Sequence, residues 1–354
     1  MLEPITTKDV ISNLEKPVHI KELDKPRYKP TEGKKRNIMC AVKEMANHMT
    51  DEGNQLQEGL GYAEYDLYGY GYGGSHTDVE HIVNSSNINT VVVQDQREWD
   101  YTTQKRRFGN PSTEFKNHKC LRNRDDLFKL TVLKDTHQRP EYHKRSAEEM
   151  GIHAWVVYYH PEIVKHTSQF VRSHHLIRTY HTIDNRRVPF LNSHRSGTVL
   201  TGAISDAYPL RARLTLESNI FPSMDVIPHP GYHCKGTESN HFLHLLNRYK
   251  VSICTASRYG FSLRKIIESL ASGCTVLTDL PIDDKLPWVD KYLHRIHPNT
   301  STKSIKEICK ELEGQWDLSR ALTASEDVKR YYDYRFRGQI LANEIKHLRE
   351  TYND

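Results

Sequence analysis

Short apolar runs recur along this chain and alternate with longer polar stretches that carry apolar residues at helical spacing. The runs at 37–42 (NIMCAV), 90–94, 128–133, 155–159 and 176–180 predict strands in the first half. After Pro189 the pattern restarts, with predicted strands at 198–201, 225–228, 251–255 and 274–278. Helices are predicted at 43–60, 121–129, 162–172, 240–248 and 263–272. Val328, Tyr331, Tyr332, Phe336, Ile340, Leu341 and Ile345 predict one long terminal helix over 325–348. The tract Tyr68–Gly74 (YGYGYGG) predicts a loop at a strand end, because glycine punctuates regular structure. Strand, loop and helix in repeated order argue for α/β parallel sheets. The restart near 190 argues for two in tandem. The expected organisation is a basic arm at 1–36, one α/β domain at 37–190, a second at 191–325, and a C-terminal helix at 326–354 packing back across the domains.

Composition narrows the class. The chain has 354 residues, enough for two ordinary domains, and no run approaches the roughly 20 apolar residues of a membrane helix. The segment MLEPITTKDVISNLEK lacks the apolar stretch of a signal peptide. Six cysteines without CxxC spacing speak against a zinc ribbon, a redox motif or a disulfide framework, so a reducing cytoplasm is the expected home. A net charge of +5 permits an anionic partner without demanding one. No GxGxxG opens a helix after a strand, which argues against a dinucleotide oxidoreductase. His229-Pro230-Gly231-Tyr232-His233-Cys234 has no metal-ligand spacing, and no metal site is expected.

In open parallel sheets ligands bind beyond the carboxyl ends of the strands, so the residues after each apolar run are the candidates. Tyr259, Gly260 and Ser262 form a turn between a predicted strand and the helix that Arg264 and Lys265 begin. Free N–H groups at that helix start, with two cations one turn in, suit a phosphate. Glu268, three residues past Lys265 on the same face, suits a ribose diol; a surface helix with an i,i+3 ion pair is the plain alternative. In the second segment a strand runs into Gly202, a loop containing Ser205 follows, and Arg211 opens the next helix. Arg211 suits an anionic oxygen, although Tyr208-Pro209 also reads as an ordinary turn.

The order Gly…Tyr-Pro-Leu-Arg, then Leu-Arg-Lys…Glu-Ser-Leu-Ala-Ser-Gly, resembles the C-terminal half of GT-B glycosyltransferases, most of all the CgeB-like spore-maturation branch. Leu263 to Asp279 also resembles the donor site of the T-even phage DNA β-glucosyltransferases. The resemblance covers about 198–285 well and the first half only in topology. It implies two Rossmann-like parallel-sheet domains facing a cleft, and a nucleoside-diphosphate sugar, a UDP-sugar, as donor. By matching, Arg264 or Lys265 takes the diphosphate and Glu268 the ribose, while Gly202, Ser205 and Arg211 form the other diphosphate loop. Gly260 stands where many retaining relatives have the first of two glutamates, so that motif is incomplete. A divalent cation held mainly by the diphosphate, as in some relatives, is compatible with this set.

In the first half, Asp95 and Asp135 each end an apolar run. Counting strands back from the linker puts Asp135 where the resemblance implies a catalytic carboxylate, with His137 as a second proton-transfer group and Asp95 as runner-up. Either aspartate also reads as a helix cap. The implied activity is that of a hexosyl- or pentosyltransferase, monomeric, acting on a hydroxyl. A 5-hydroxymethylpyrimidine in DNA is the leading acceptor, extruded from the duplex, with Arg97, Arg106 and Arg107 as acceptor contacts in a basic stretch that also reads as a solvated loop. Transfer to a cell-surface glycan or protein is the rival, and a nucleotide- or DNA-binding protein without turnover the non-enzymatic reading.

Overall fold

The computed structural model describes residues 2–14, 19–42, 52–70, 79–85, 87–93, 99–100, 105–106, 119–133, 140–189, 191, 194–202, 206–227 and 237–354. Its helices, in chain order, are α1 (Thr7–Asn13), α2 (Glu52–Tyr62), α3 (Val79–Ser85), α4 (Pro140–Met150), α5 (Pro161–Thr167), α6 (Pro209–Leu216), α7 (Thr237–Leu246), α8 (Arg264–Ala271), α9 (Thr302–Gln315), α10 (Leu318–Tyr331) and α11 (Tyr334–Thr351). Two compact units emerge. One comprises Lys16–Asn47, Asp51–Tyr180 and Arg337–Asp354; the other Met1–Glu15, His48–Thr50 and His181–Phe336.

The first unit is built on six parallel strands: β1 (Arg36–Val42), β2 (Asp66–Tyr70), β3 (Ile88–Val93), β6 (Phe128–Leu133), β7 (Ala154–Val157) and β8 (His175–Arg178). Their order is β2-β1-β3-β6-β7-β8. Two short strands, β4 (Trp99–Asp100) and β5 (Lys105–Arg106), pair antiparallel with each other. The main sheet is covered on both faces, which is why every residue of β6 is buried, the polar Lys129 and Thr131 included. Ile38, Val91, Val93, Leu133, Trp155 and Val157 fill one face. Met39, Val92, Leu130, Val132 and Val156 fill the other, against Leu56 and Leu60 of α2 and Leu341 and Ile345 of α11.

The second unit holds five parallel strands, β9 (Thr198–Thr201), β10 (Met224–Ile227), β11 (Val251–Ile253), β12 (Thr275–Thr278) and β13 (Leu293–Arg295), in the order β10-β9-β11-β12-β13. Leu200, Val251, Ile253 and Leu277 pack against Leu210 and Leu214 of α6 and Ile305, Cys309 and Leu312 of α9. Among the described residues no helix is long and apolar enough to cross a membrane.

Three predicted elements differ. Tyr68, Gly69 and Tyr70 are not loop but the end of β2, in register with Cys40, Ala41 and Val42. A parallel ladder needs only backbone groups, which glycine supplies as well as tyrosine does. Residues 121–129 are not a helix. A 3-10 turn at Lys119–Leu121 leads into turns, and Arg124 closes on Asp126 at 2.7 Å before β6 begins. The long terminal helix is two helices. Ile183 N–H donates to Tyr332 C=O (2.9 Å) and Tyr334 N–H to Ile183 C=O (3.1 Å), so a passing strand takes the backbone groups that a continuous helix would use. Asp333 then accepts Arg335 N–H (3.0 Å) at the start of α11.

Two tight spots set the tolerance of the first unit. A Cβ on Gly338 of α11 would overlap the backbone of Gly59 in α2. His153, buried and stacked on Phe128 with centroids 5.2 Å apart, accepts Lys129 N–H at Nδ1 (3.0 Å) and donates from Nε2 to Arg27 C=O (3.1 Å). Acceptance at Nδ1 needs the neutral ring, and burial pushes its pKa down to about 4. Gly338→Ala gains roughly 1 kcal/mol of helix propensity, but overpacking against backbone costs about 1–3 kcal/mol or more. The variant is expected to melt below the wild type in thermal denaturation. His153 binds its proton more weakly folded than unfolded, so its contribution is complete above about pH 6.5 and is lost as pH falls towards 4, by about 3 kcal/mol in all. Urea midpoints at pH 7.5 and 4.5 should differ less in His153→Gln than in the wild type.

Candidate functional site

Connections leave neighbouring strands in opposite directions at one point of the second sheet, between β9 and β11. Such a switch point opens a crevice beyond the carboxyl ends of the strands. β9 runs directly into Gly202 there, and β11 into Cys254, Thr255 and Ala256.

Gly202 sits at φ +126°, a conformation that side chains rarely adopt. A Cβ at this position would overlap the guanidinium of Arg211 and lie 2.7 Å from Lys265 Nζ. Two cations from two helices, α6 and α8, thus converge on one backbone carbon. Arg211 is held from two sides: its Nε donates to Thr255 Oγ1 (3.1 Å), and its guanidinium carbon lies 4.0 Å from the centroid of the Tyr208 ring. Burial, and next the charge of Arg211, push the Lys265 pKa down to about 8.

Lys265 and its neighbour Arg264 have different surroundings. Arg264 Nε lies 3.2 Å from Glu268 Oε1, a nearly buried i,i+4 ion pair. The plain alternative of a solvated i,i+3 pair between Lys265 and Glu268 is therefore not what α8 forms. Both helices facing the crevice start without a side-chain cap, α6 behind Tyr208 with Pro209 in its first turn and α8 behind Leu263. Their first N–H groups point toward the same end of the sheet.

The turn between β11 and α8 is fixed by its own bonds. Ser257 Oγ accepts the N–H groups of Tyr259 and Phe261, both at 3.2 Å. Gly260, at φ +68°, donates to Ser257 C=O (2.8 Å). The rings of Tyr259 and Phe261 stack at 5.4 Å. Ser262 C=O accepts His181 Nε2–H (3.0 Å). Behind the turn, Asp279 Oδ1 accepts Ala256 N–H at 2.6 Å.

Of the sequence candidates, the structure gathers Gly202, Arg211 and Lys265 at one point, puts the Arg264–Glu268 pair on the same helix as Lys265, and builds the adjoining turn from Tyr259, Gly260 and Ser262. Ser205, Asp95, Arg97, Arg107, Asp135 and His137 lie outside the described residues, as do His229 and His233. Arg106 ends β5, and only its backbone is described. Among the described residues no three His, Cys, Asp or Glu side chains cluster as metal ligands. Thr255, Tyr208 and Asp279 were not among the candidates. Asp279 carries the same signal that nominates Asp95 and Asp135, an acidic residue within two positions of an apolar run.

No family profile matches the chain, and no curated protein matches it by sequence. Solved structures do match in three dimensions. Sucrose-phosphate synthase from Thermosynechococcus elongatus superposes with a TM-score of 0.54 at 10% identity, over 88% of this chain and 99% of that one. HepE of Anabaena, solved with UDP and glucose, gives 0.53 at 9% identity over 88% and 100%. A glycosyltransferase from Rickettsia africae gives 0.50 at 7% identity over 89% and 99%. At these identities the likeness speaks for architecture: the chain has the GT-B fold, two parallel-sheet α/β units with a C-terminal helix.

Proposed function

We propose that this protein is a glycosyltransferase that holds a nucleoside-diphosphate sugar at the switch point of its second sheet and moves the sugar to an acceptor hydroxyl. The observation that carries the reading is the convergence of Arg211 and Lys265 on Gly202, beyond the ends of β9 and β11. In this reading the two cations take the diphosphate oxygens and stabilise the charge that develops as the nucleotide leaves. Glu268, oriented by Arg264, accepts hydrogen bonds from the ribose diol. The acceptor oxygen bonds to the anomeric carbon as the bond from that carbon to the β-phosphate oxygen breaks. The diphosphate departs with the electron pair, and a carboxylate takes the hydroxyl proton. Asp135, with His137 beside it in sequence, is our choice for that base and Asp95 the second.

Uridine is favoured as the nucleoside because HepE, which shares the fold, was solved with UDP and glucose. The narrower likeness to the CgeB-like branch and the phage DNA β-glucosyltransferases rests on residues 198–285 alone, and it makes 5-hydroxymethylpyrimidine DNA the first acceptor to try. The test is a panel of nucleotide sugars incubated with hydroxymethylcytosine or hydroxymethyluracil DNA, a glycan panel and no acceptor, with and without magnesium or manganese. Nucleoside digestion and mass spectrometry read the product. Sugar on DNA supports that acceptor, sugar on a glycan replaces it, and neither binding nor turnover of any nucleotide sugar removes the enzyme reading.

Lys265→Ala is expected to weaken UDP-sugar binding by about 10- to 100-fold, the scale of a lost charge-assisted hydrogen bond. The pH dependence has a definite sign. A bound diphosphate favours charged Lys265, whose pKa of about 8 means the free site loses that charge above pH 8. Affinity in the wild type should therefore fall by up to about tenfold per pH unit above 8, and titration calorimetry of Lys265→Ala should lose this limb. Asp135→Asn keeps the shape and removes the proton acceptor. Turnover should drop by about 10²–10⁴-fold with donor affinity intact. Loss on Asp95→Asn instead would move the role to Asp95.

A further inference from the structure

We propose that Asp279 is a positioning residue for the diphosphate site: its carboxylate fixes the turn that braces Arg211 and sets the charge behind that arginine, against which an incoming diphosphate must bind. The inference rests on the donor reading above and deepens it.

The argument starts from connectivity. Asp279 directly follows β12 and is nearly buried. Its Oδ1 accepts Ala256 N–H at 2.6 Å, joining the ends of β12 and β11 one step beyond the ladder, where Cys254 N–H donates to Leu277 C=O (2.9 Å). Thr255, next to Ala256, accepts the Nε–H of Arg211. A single chain of contacts therefore runs from the carboxylate through the turn to the guanidinium that converges on Gly202. Among the described residues, the charged groups that act on Asp279 are Arg211 and Arg213, both from α6. Arg213 reaches away, its guanidinium donating to Pro298 C=O (3.2 Å) and Thr300 C=O. Burial is the largest influence on the carboxyl and pushes its pKa up to about 6, while the Ala256 N–H and the two arginines pull the other way.

Two effects of the one carboxylate then oppose each other. Its oxygen organises the site, whereas its negative charge repels a second anion brought to the far side of Arg211. Asp279→Asn keeps an oxygen for Ala256 N–H and deletes the charge; Asp279→Ala deletes both. Binding of UDP-glucose is the probe, because neither of its phosphates titrates in the range used. At pH 7.5 Asp279→Asn is expected to bind about three- to tenfold more tightly than the wild type. The two should converge at pH 5.5, where the wild-type carboxyl takes up a proton. Asp279→Ala is expected to bind more weakly than the wild type at both values. A purely structural aspartate gives no pH-dependent gain on removal of its charge, so Asp279→Asn binding equally or more weakly at pH 7.5, with unchanged melting, overturns the proposal.

If Asp279→Asn fails to fold, the wild type alone decides. Calorimetry at pH 6.5 in two buffers of different ionisation enthalpy should show net proton uptake on binding, at a pH where Lys265 stays charged. Zero uptake overturns the proposal. A wild type that binds UDP-glucose without either effect removes this inference alone. A wild type that binds no nucleotide sugar removes the donor reading, and this one with it.

Discussion

Two positive charges held against one backbone carbon are the constraint around which the second sheet's site is arranged. The Arg211 guanidinium carbon and Lys265 Nζ both lie within 2.7 Å of where a Gly202 side chain would begin, so the charges are no more than about 6 Å apart. At an effective dielectric near 20, like charges at that separation repel by roughly 3 kcal/mol. Burial depresses the Lys265 pKa most, and the Arg211 charge lowers it further, which is one sign of that cost. Replacing either residue by a neutral one would relieve that repulsion. A site that pays in repulsion when empty is one that gains when a dianion arrives, which is the physical content of reading it as a diphosphate site.

The other charges near the crevice serve to keep that pair in place. Glu268 is close enough to draw Lys265 upward in pKa, yet its ion-pair partner is Arg264, at 3.2 Å and nearly out of water. Removing one member of a buried pair leaves an uncompensated charge and costs several kcal/mol, so Arg264 and Glu268 constrain each other along one face of α8. Lys265, one residue on, is turned toward Gly202 by the helical rotation. Arg211 gains its rigidity differently, from the Thr255 hydroxyl and the Tyr208 ring. One cation is thus fixed by polar and aromatic contacts, the other by the helix that carries it.

Much of this was legible in the sequence because it is local. Strand, turn and helix follow within about 20 residues from Val251 to Ala271, so apolar periodicity and glycine positions already place Arg264, Lys265 and Glu268 on one short helix beyond a strand end. Spacing cannot decide which of two adjacent cations faces a ligand; that depends on how α8 is rotated against β11 and β12. The break at Tyr332–Asp333 was hidden for a related reason. The apolar spacing continues across it, and the interruption comes from Ile183, about 150 residues away in sequence. The strand in Tyr68–Tyr70 is not legible locally, because glycine alone reads as a loop former and only the neighbouring β1 ladder makes it part of a strand.

Asp279 extends the same lesson to the chemistry. The pattern of an acidic residue after an apolar run is the same in Leu277-Thr278-Asp279 as in Val132-Leu133-Lys134-Asp135. The pattern says only that a carboxyl group stands at the carboxyl edge of a parallel sheet. What it does there depends on what it faces. Asp279 faces the Ala256 amide and the charges of two arginines, away from water, so it is suited to hold backbone and tune cations. A general base needs the opposite surroundings: an acceptor hydroxyl within hydrogen-bond reach and no fixed donor occupying the oxygen that must take the proton. Burial and prior hydrogen bonding therefore separate the two roles, and by that criterion Asp279 suits the scaffold of the proposed donor site and not the proton transfer.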